Sequence, residues 1–124
     1  MKKLLLSLLC IATIAGCASS PDDEAMAIAQ SRANRLNDLM PMDVGKYKFI
    51  RARSQEKFVL VEILYGGGSR VTPSQFLRNS IATYCEDPTI RPVLDKGVGY
   101  GFTIRDARGR PISEQVITAE TCSQ

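Results

Sequence analysis

Histidine and tryptophan are absent from the 124 residues, and aromatic residues make up only 6% of them. Without histidine, the commonest general base near neutral pH and the commonest nitrogen ligand for metals are both missing. No Cys-x-x-Cys occurs among the four cysteines, which removes the usual spacing of thioredoxin-like and structural zinc sites. The longest apolar run, Leu4 to Ala15, is 12 residues, well short of the ~20 that a membrane-crossing helix needs. Lysine and arginine (16) nearly balance aspartate and glutamate (13), and no basic stripe stands out. Nucleic-acid binding is therefore not expected. No repeat or low-complexity tract is present.

What the chain does have starts at its N-terminus. Lys2 and Lys3 precede the apolar run, and Ile14-Ala15-Gly16-Cys17 closes it. A charged start, an apolar middle and small residues before a cut site make a bacterial secretory signal. The cysteine directly after Ala-Gly resembles a lipobox, in which the Cys receives a diacylglycerol, the peptide is cut before it and the new amine is acylated. Residues 1–16 are thus predicted to be a lipoprotein signal peptide, with Cys17 the lipid attachment site and 17–21 a short lipidated tether. Several acyl chains on one residue give a stable anchor, where one alone is reversible. Ala18 follows instead of the Asp that commonly retains lipoproteins in the inner membrane. The expected location is the outer membrane, with the domain facing the periplasm. Removing the signal leaves 108 of the 124 residues and lowers the formal charge from +3 to +1.

Cys10 leaves with the signal and Cys17 carries lipid, so Cys85 and Cys122 remain as one pair in an oxidising compartment. A disulfide is expected if the fold brings them together, and closing that loop should stabilise the domain by about 4 kcal/mol. A metal or redox role for the two thiols is the alternative, with no neighbouring histidine or Cys-x-x-Cys to support it.

Past the tether, Ser20 is placed as an N-cap, with Pro21 at the first helical position and Asp22, Asp23 and Glu24 against the positive end of the helix dipole. The helix is predicted to run to about Met40, with Met26, Ala29, Ala33, Leu36 and Met40 as its apolar stripe. Tyr47–Arg53 and Glu56–Tyr65 read as a hairpin turning near Ser54-Gln55. In the second of these strands Val59, Val61, Ile63 and Tyr65 share one face, while Phe58, Leu60 and Leu64 share the other. Such a strand is buried on both sides, or one side awaits a ligand. Gly66–Ser69 is a connector without the Gly-Lys-Ser/Thr ending of a phosphate loop. Thr72-Pro73-Ser74-Gln75 carries a capping box that opens a helix to about Cys85. Asp87-Pro88 caps a brief second turn through Leu94, and Gly97 ends it. A last hairpin pairs Val98–Arg105 with Arg110–Thr118. Gly97, Gly99 and Gly101 strip one sheet face of side chains, which would let another backbone come close. The order α-ββ-α-ββ predicts an α+β fold: an antiparallel sheet of four to five strands in two hairpins with helices on one face, to which the cysteine pair would add one disulfide.

Catalytic motifs are lacking. Ser54-Gln55-Glu56-Lys57 matches S-x-x-K, but that motif works on a helix and here falls in a strand turn. Glu24, Asp87 and Asp106 sit at helix starts or turns, where capping accounts for them. The expectation is no enzyme, no metal, no cofactor beyond the lipid on Cys17, and no small-molecule substrate.

Cys85-Glu86-Asp87-Pro88-Thr89-Ile90, Gly97-Val98-Gly99-Tyr100, Ile104-Arg105-Asp106 and Thr121-Cys122 resemble the C-terminal half of the AspS-type (GspS-beta) pilotins of type II secretion systems. Ser31–Asn34 and Arg51-Ala52 extend the likeness more weakly towards the front. The resemblance implies an outer-membrane lipoprotein whose pilotin domain (22–124) binds the C-terminal S-domain of the GspD-type secretin, carries it to the outer membrane and supports channel assembly. It also implies a bent antiparallel sheet with helices and a Cys85–Cys122 bridge. It does not identify the groove, so the partner surface is an independent expectation. Apolar anchors of an amphipathic helix would lie along the two-sided strand, on Tyr47, Phe49, Leu60 and Leu64, with Ile81 and Tyr84 nearby. Two other readings remain: a periplasmic enzyme-inhibitor lipoprotein, for which Gly66–Arg70 is the candidate loop, and a structural envelope lipoprotein.

Overall fold

Ser20 opens the first helix as its sequence promises: its Oγ accepts from the backbone N–H of Asp23 at 3.2 Å, and α1 runs Pro21–Asp38. The protein is described by a computed structural model that covers residues 20–124. The signal segment, Cys17 and most of the tether lie outside those residues. After α1 come β1 (Met42–Val44), β2 (Tyr47–Gln55), β3 (Phe58–Tyr65), α2 (Pro73–Glu86), α3 (Arg91–Asp95), β4 (Gly99–Arg105), β5 (Pro111–Ile117) and α4 (Ala119–Cys122). The α+β class and both hairpins stand as expected, as does the single disulfide. The strand β1 and the short α4 were not anticipated.

The five strands lie in the order β1-β2-β3-β4-β5. Here one expectation needs correction. The sheet is mixed, because β3 and β4 pair in parallel, Val59 opposite Tyr100 and Ile63 opposite Ile104. The physical reason is the route between them. The chain leaves β3 at Tyr65 and returns at Gly99 by way of α2 and α3, a connection long enough to carry it back to the other end of the sheet, as a parallel neighbour requires and a tight hairpin turn cannot provide. The two hairpins are antiparallel within themselves.

Side-chain alternation divides the sheet cleanly. Val59, Val61 and Ile63 of β3 and Tyr100, Phe102 and Ile104 of β4 are buried on one face. The helices cover that face: Ala25, Ala29 and Ala33 of α1 and Leu77 of α2 complete the core with Leu94, Val98 and Ile117. The stripe of α1 is one step from its expected position at the N-terminal end, for Ala25 is buried and Met26 is 39% exposed. Methyl side chains four apart let the helix lie close to the sheet, and Met would hold it away. Asn37 Oδ1 accepts from the N–H of Ala52 at 3.2 Å and ties the end of α1 to β2. Thr72 and Gln75 exchange reciprocal bonds of 3.2 and 3.1 Å at the start of α2.

On the opposite face the glycines of β4 serve side chains and not a second backbone. A Cβ on Gly99 would fall 2.6 Å from Cδ1 of Phe58, and one on Gly101 would fall 2.8 Å from Cδ2 of Leu60. Phe58 and Leu60 lie in the space that the glycines leave. Beyond them Glu62 pairs with Arg51 at 2.6 Å and with Arg105 at 3.6 Å, so an ion-pair row separates Leu60 from Leu64.

Candidate functional site

The second half of α1 and the end of α2 do not close over the sheet. Between them lies a groove of about 330 Å³ lined by Arg32, Arg35, Leu36, Leu39, Tyr84 and Tyr100, and ended by Thr89 and Ile90. Each wall has a local cause. Leu36 continues the buried stripe of α1 and is half-buried, whereas Leu39, the C-cap, is 64% exposed. Tyr84 comes from the last turn of α2. Its ring lies 5.0 Å from that of Tyr100 and 5.3 Å from that of Phe102.

The end wall is held by Asp87. Its Oδ1 accepts from the N–H and the hydroxyl of Thr89, both at 2.7 Å, and from the N–H of Ile90 at 3.2 Å. These bonds, that from the Thr89 hydroxyl first, hold the carboxyl below its ordinary range. Arg32 spans the groove near this wall, with Nη2 donating to the Thr89 carbonyl at 3.0 Å. Burial pushes the Tyr84 hydroxyl up to about 12, helped by Tyr100 and Asp87. Burial also raises Tyr100, against the opposing pull of Arg32. Both tyrosines therefore remain neutral at any physiological pH, and the floor is an uncharged aromatic surface beneath a rim with two arginines.

One residue beyond Tyr84, Cys85 is bonded to Cys122, with 5.5 Å between their Cα atoms and 37 residues between them in sequence. The bridge ties the end of α2, and with it the groove wall, to α4. Among the described residues no group of three or more His, Cys, Asp and Glu side chains is placed to hold a metal. No described helix is long and apolar enough to cross a membrane.

The six residues expected to share one partner surface lie in three places. Tyr47 is 2% exposed. Its hydroxyl donates to the Val71 carbonyl at 2.6 Å, and its ring stacks on Tyr65 at 4.5 Å and Phe76 at 4.1 Å. Phe49 meets the edge of Phe76 at 6.2 Å, and both belong to packing beneath the helices. Leu60 and Leu64 point to the uncovered face, away from the groove. Ile81, on α2, is partly buried against the core, and Tyr84 alone of the six lines the groove. Burial on both sides was the other reading of β3, and only the Val59–Val61–Ile63 side meets it. The other seven lining residues, Arg32, Arg35, Leu36, Leu39, Thr89, Ile90 and Tyr100, are not among those expected at a partner surface from the sequence. Leu39 left a usable trace, being a large apolar residue at the end of a helix and off its buried stripe.

The family described as type II secretion system (T2SS) pilotin, S protein, matches residues 21–122. Pilotin AspS 2 of Escherichia coli O78:H11 is 29% identical over 97% of this chain and 90% of its own length. The pilotin EpsS from the type 2 secretion system of Vibrio vulnificus superposes with a TM-score of 0.75 at 32% identity, covering 82% of this chain and 94% of its own. The type II secretion pilotin AspS of Vibrio cholerae gives 0.73 at 25% identity over 82% and 95%. The groove, the bridge and the mixed sheet described above are therefore features of a member of the type II secretion system pilotin S protein family.

Proposed function

We propose that this pilotin is anchored through lipid on Cys17 to the periplasmic side of the outer membrane, binds the C-terminal S-domain of its secretin and directs that secretin to the membrane for assembly. The observation that carries the binding half is the groove between α1 and the end of α2. Leu36, Leu39, Ile90, Tyr84 and Tyr100 offer an apolar trough open on one side. Such a trough suits one face of an amphipathic helix, whose anchors recur about one turn apart. Arg32 and Arg35 on the rim would favour acidic residues at the edge of that face. A non-enzymatic role suits a site whose floor is two neutral tyrosines and whose end-wall carboxylate, Asp87, is occupied by capping. The signal segment with Cys17 supports the anchoring half.

Fluorescence anisotropy of a labelled secretin C-terminal peptide on the full chain in neutral detergent tests the binding half. Saturable binding that a charge in the groove removes is the expected result; binding that survives it would sink the assignment. For anchoring, Cys17→Ser should leave the fold intact and misplace the secretin. Correct outer-membrane secretin in that variant would refute piloting, and absence of palmitate label on the native chain would refute the lipid.

A further inference from the structure

α1 begins beside the β2–β3 turn, where Lys57 Nζ lies 3.4 Å from Asp22 Oδ1 and a Cβ on Gly97 would lie 3.9 Å from that of Ala25. The far end of β3, about 26 Å away along the strand, carries a second concave region. Two adjoining hollows of about 580 and 350 Å³ share Tyr65, Gly66 and Ala107 there. None of their lining residues belongs to the α1–α2 groove.

The charges around this region do not cancel. Lys46 and Lys48 form one bank, and Arg108 and Arg110 form the other. Asp43 stands opposite Lys48 across the β1–β2 pair. Asp106 is already committed: Oδ1 accepts from the N–H groups of Arg108 and Arg110 at 2.9 Å, and Oδ2 binds Arg110 Nε at 3.0 Å. Among the described residues Lys46, Lys48 and Arg108 make no ion pair. Between the banks the floor is apolar, with Leu64 in the first hollow and Ile112, 45% exposed, in the second; Tyr65 borders both at the strand end, its ring stacked on Tyr47 on the helix side.

The adjoining loop is held in place. Gly67 and Gly68 have φ of +96° and +87°, which suits glycine and strains other residues. The N–H of Ser69 donates to the Tyr65 hydroxyl at 3.0 Å, and the Tyr47 hydroxyl fastens Val71. A wall fixed before binding lowers the entropy cost of docking.

We propose that this end of the sheet is a second docking site, taking an acidic segment of a partner protein whose carboxylates pair with Lys46 and Arg108 while its apolar side chains lie on Leu64 and Ile112. A simple anion fits less well, because the cations stand on separate turns on either side of an apolar floor and do not converge on one point. Charge complementarity chooses the occupant, and the site is independent of the groove.

The test uses a labelled short peptide alternating glutamate and tyrosine, added to the full chain in neutral detergent with a detergent-only blank, and read by fluorescence anisotropy. Binding should be saturable and should weaken as salt shortens the Debye length. Lys46→Glu with Arg108→Glu should lower affinity by about tenfold or more, and so should glutamine in place of each glutamate of the peptide. Both positions are exposed on turns, and the salt titration on the unaltered chain gives a second readout. The proposal is overturned if the double variant binds normally, if the glutamine peptide binds as well, or if inorganic phosphate displaces the peptide at matching concentration. It is equally overturned if Leu36→Asp in the groove abolishes this binding.

Discussion

Phe58 occupies the space above Gly99 that any larger residue there would need, and the two stand directly opposite each other in the parallel pair. Leu60 stands over Gly101 in the same way. The uncovered face is thus half-clothed by side chains folded down on glycine.

Gly99→Ala should cost about 1–3 kcal/mol, the usual range for overpacking, because the new methyl meets a rigid ring. Gly101→Ala should cost less, since the Leu60 methyl it meets can swing aside. Urea unfolding of both variants checks the order; equal stability, or Gly101 as the costlier site, would contradict this account.

Reducing the Cys85–Cys122 bond should lower stability by about 4 kcal/mol, given a loop of 37 residues. The effect should reach the partner, since Tyr84 is adjacent to the bridge. Peptide affinity should fall on reduction even under conditions where the chain stays folded. Unchanged affinity in a folded, reduced chain would separate the bridge from the groove.

Tyr84 carries a signature at high pH. Its folded pKa of about 12 lies above the ordinary 10.0, so between these values the folded chain holds a proton that the unfolded chain has lost. Stability is therefore complete below pH 10 and falls as pH rises towards 12. The loss is at most on the order of 2–3 kcal/mol, with each unit worth about 1.4. Tyr47 and Tyr100 are raised as well and add to the slope. Tyr84→Phe should flatten the urea midpoint against pH over that window, and an unchanged slope would refute the assignment.

Leu36→Asp or Leu39→Asp should weaken the secretin peptide by about tenfold or more, as buried anchors of a helix-in-groove contact do. Leu60→Asp, on the other face, should leave affinity unchanged at a measurable cost in stability. Anisotropy alongside circular dichroism separates the two effects. A reversal, with Leu60 required and Leu36 dispensable, would move the partner to the uncovered face.

Much of the framework was legible because it depends on neighbours in sequence. Ser20 and Thr72 cap their helices through bonds three residues long, and the alternation of Val59, Val61 and Ile63 needed only the pleat of one strand. The parallel union of β3 with β4 was hidden, since alternation fixes which face a residue takes and says nothing about which strand lies beside it. The same limit scattered the expected partner surface. Tyr47 and Leu64 looked equivalent as apolar strand residues, yet one lies under Phe76 and the other beside Lys48 on the opposite side. The groove itself joins α1, α2 and β4, elements far apart in the chain, and no local pattern marks such a meeting.

The crossover leaves β3 dependent on a partner strand far along the chain. Until residues 99–105 dock, β3 is a bare margin rich in valine and isoleucine, a ready template for the wrong strand. Its proper neighbour lies beyond α2 and α3 in the chain, and such distant closures slow the search for the native state. A newly made chain is most prone to self-association in that interval, so its yield should be set more by how quickly the C-terminal hairpin docks than by how stable the finished domain is.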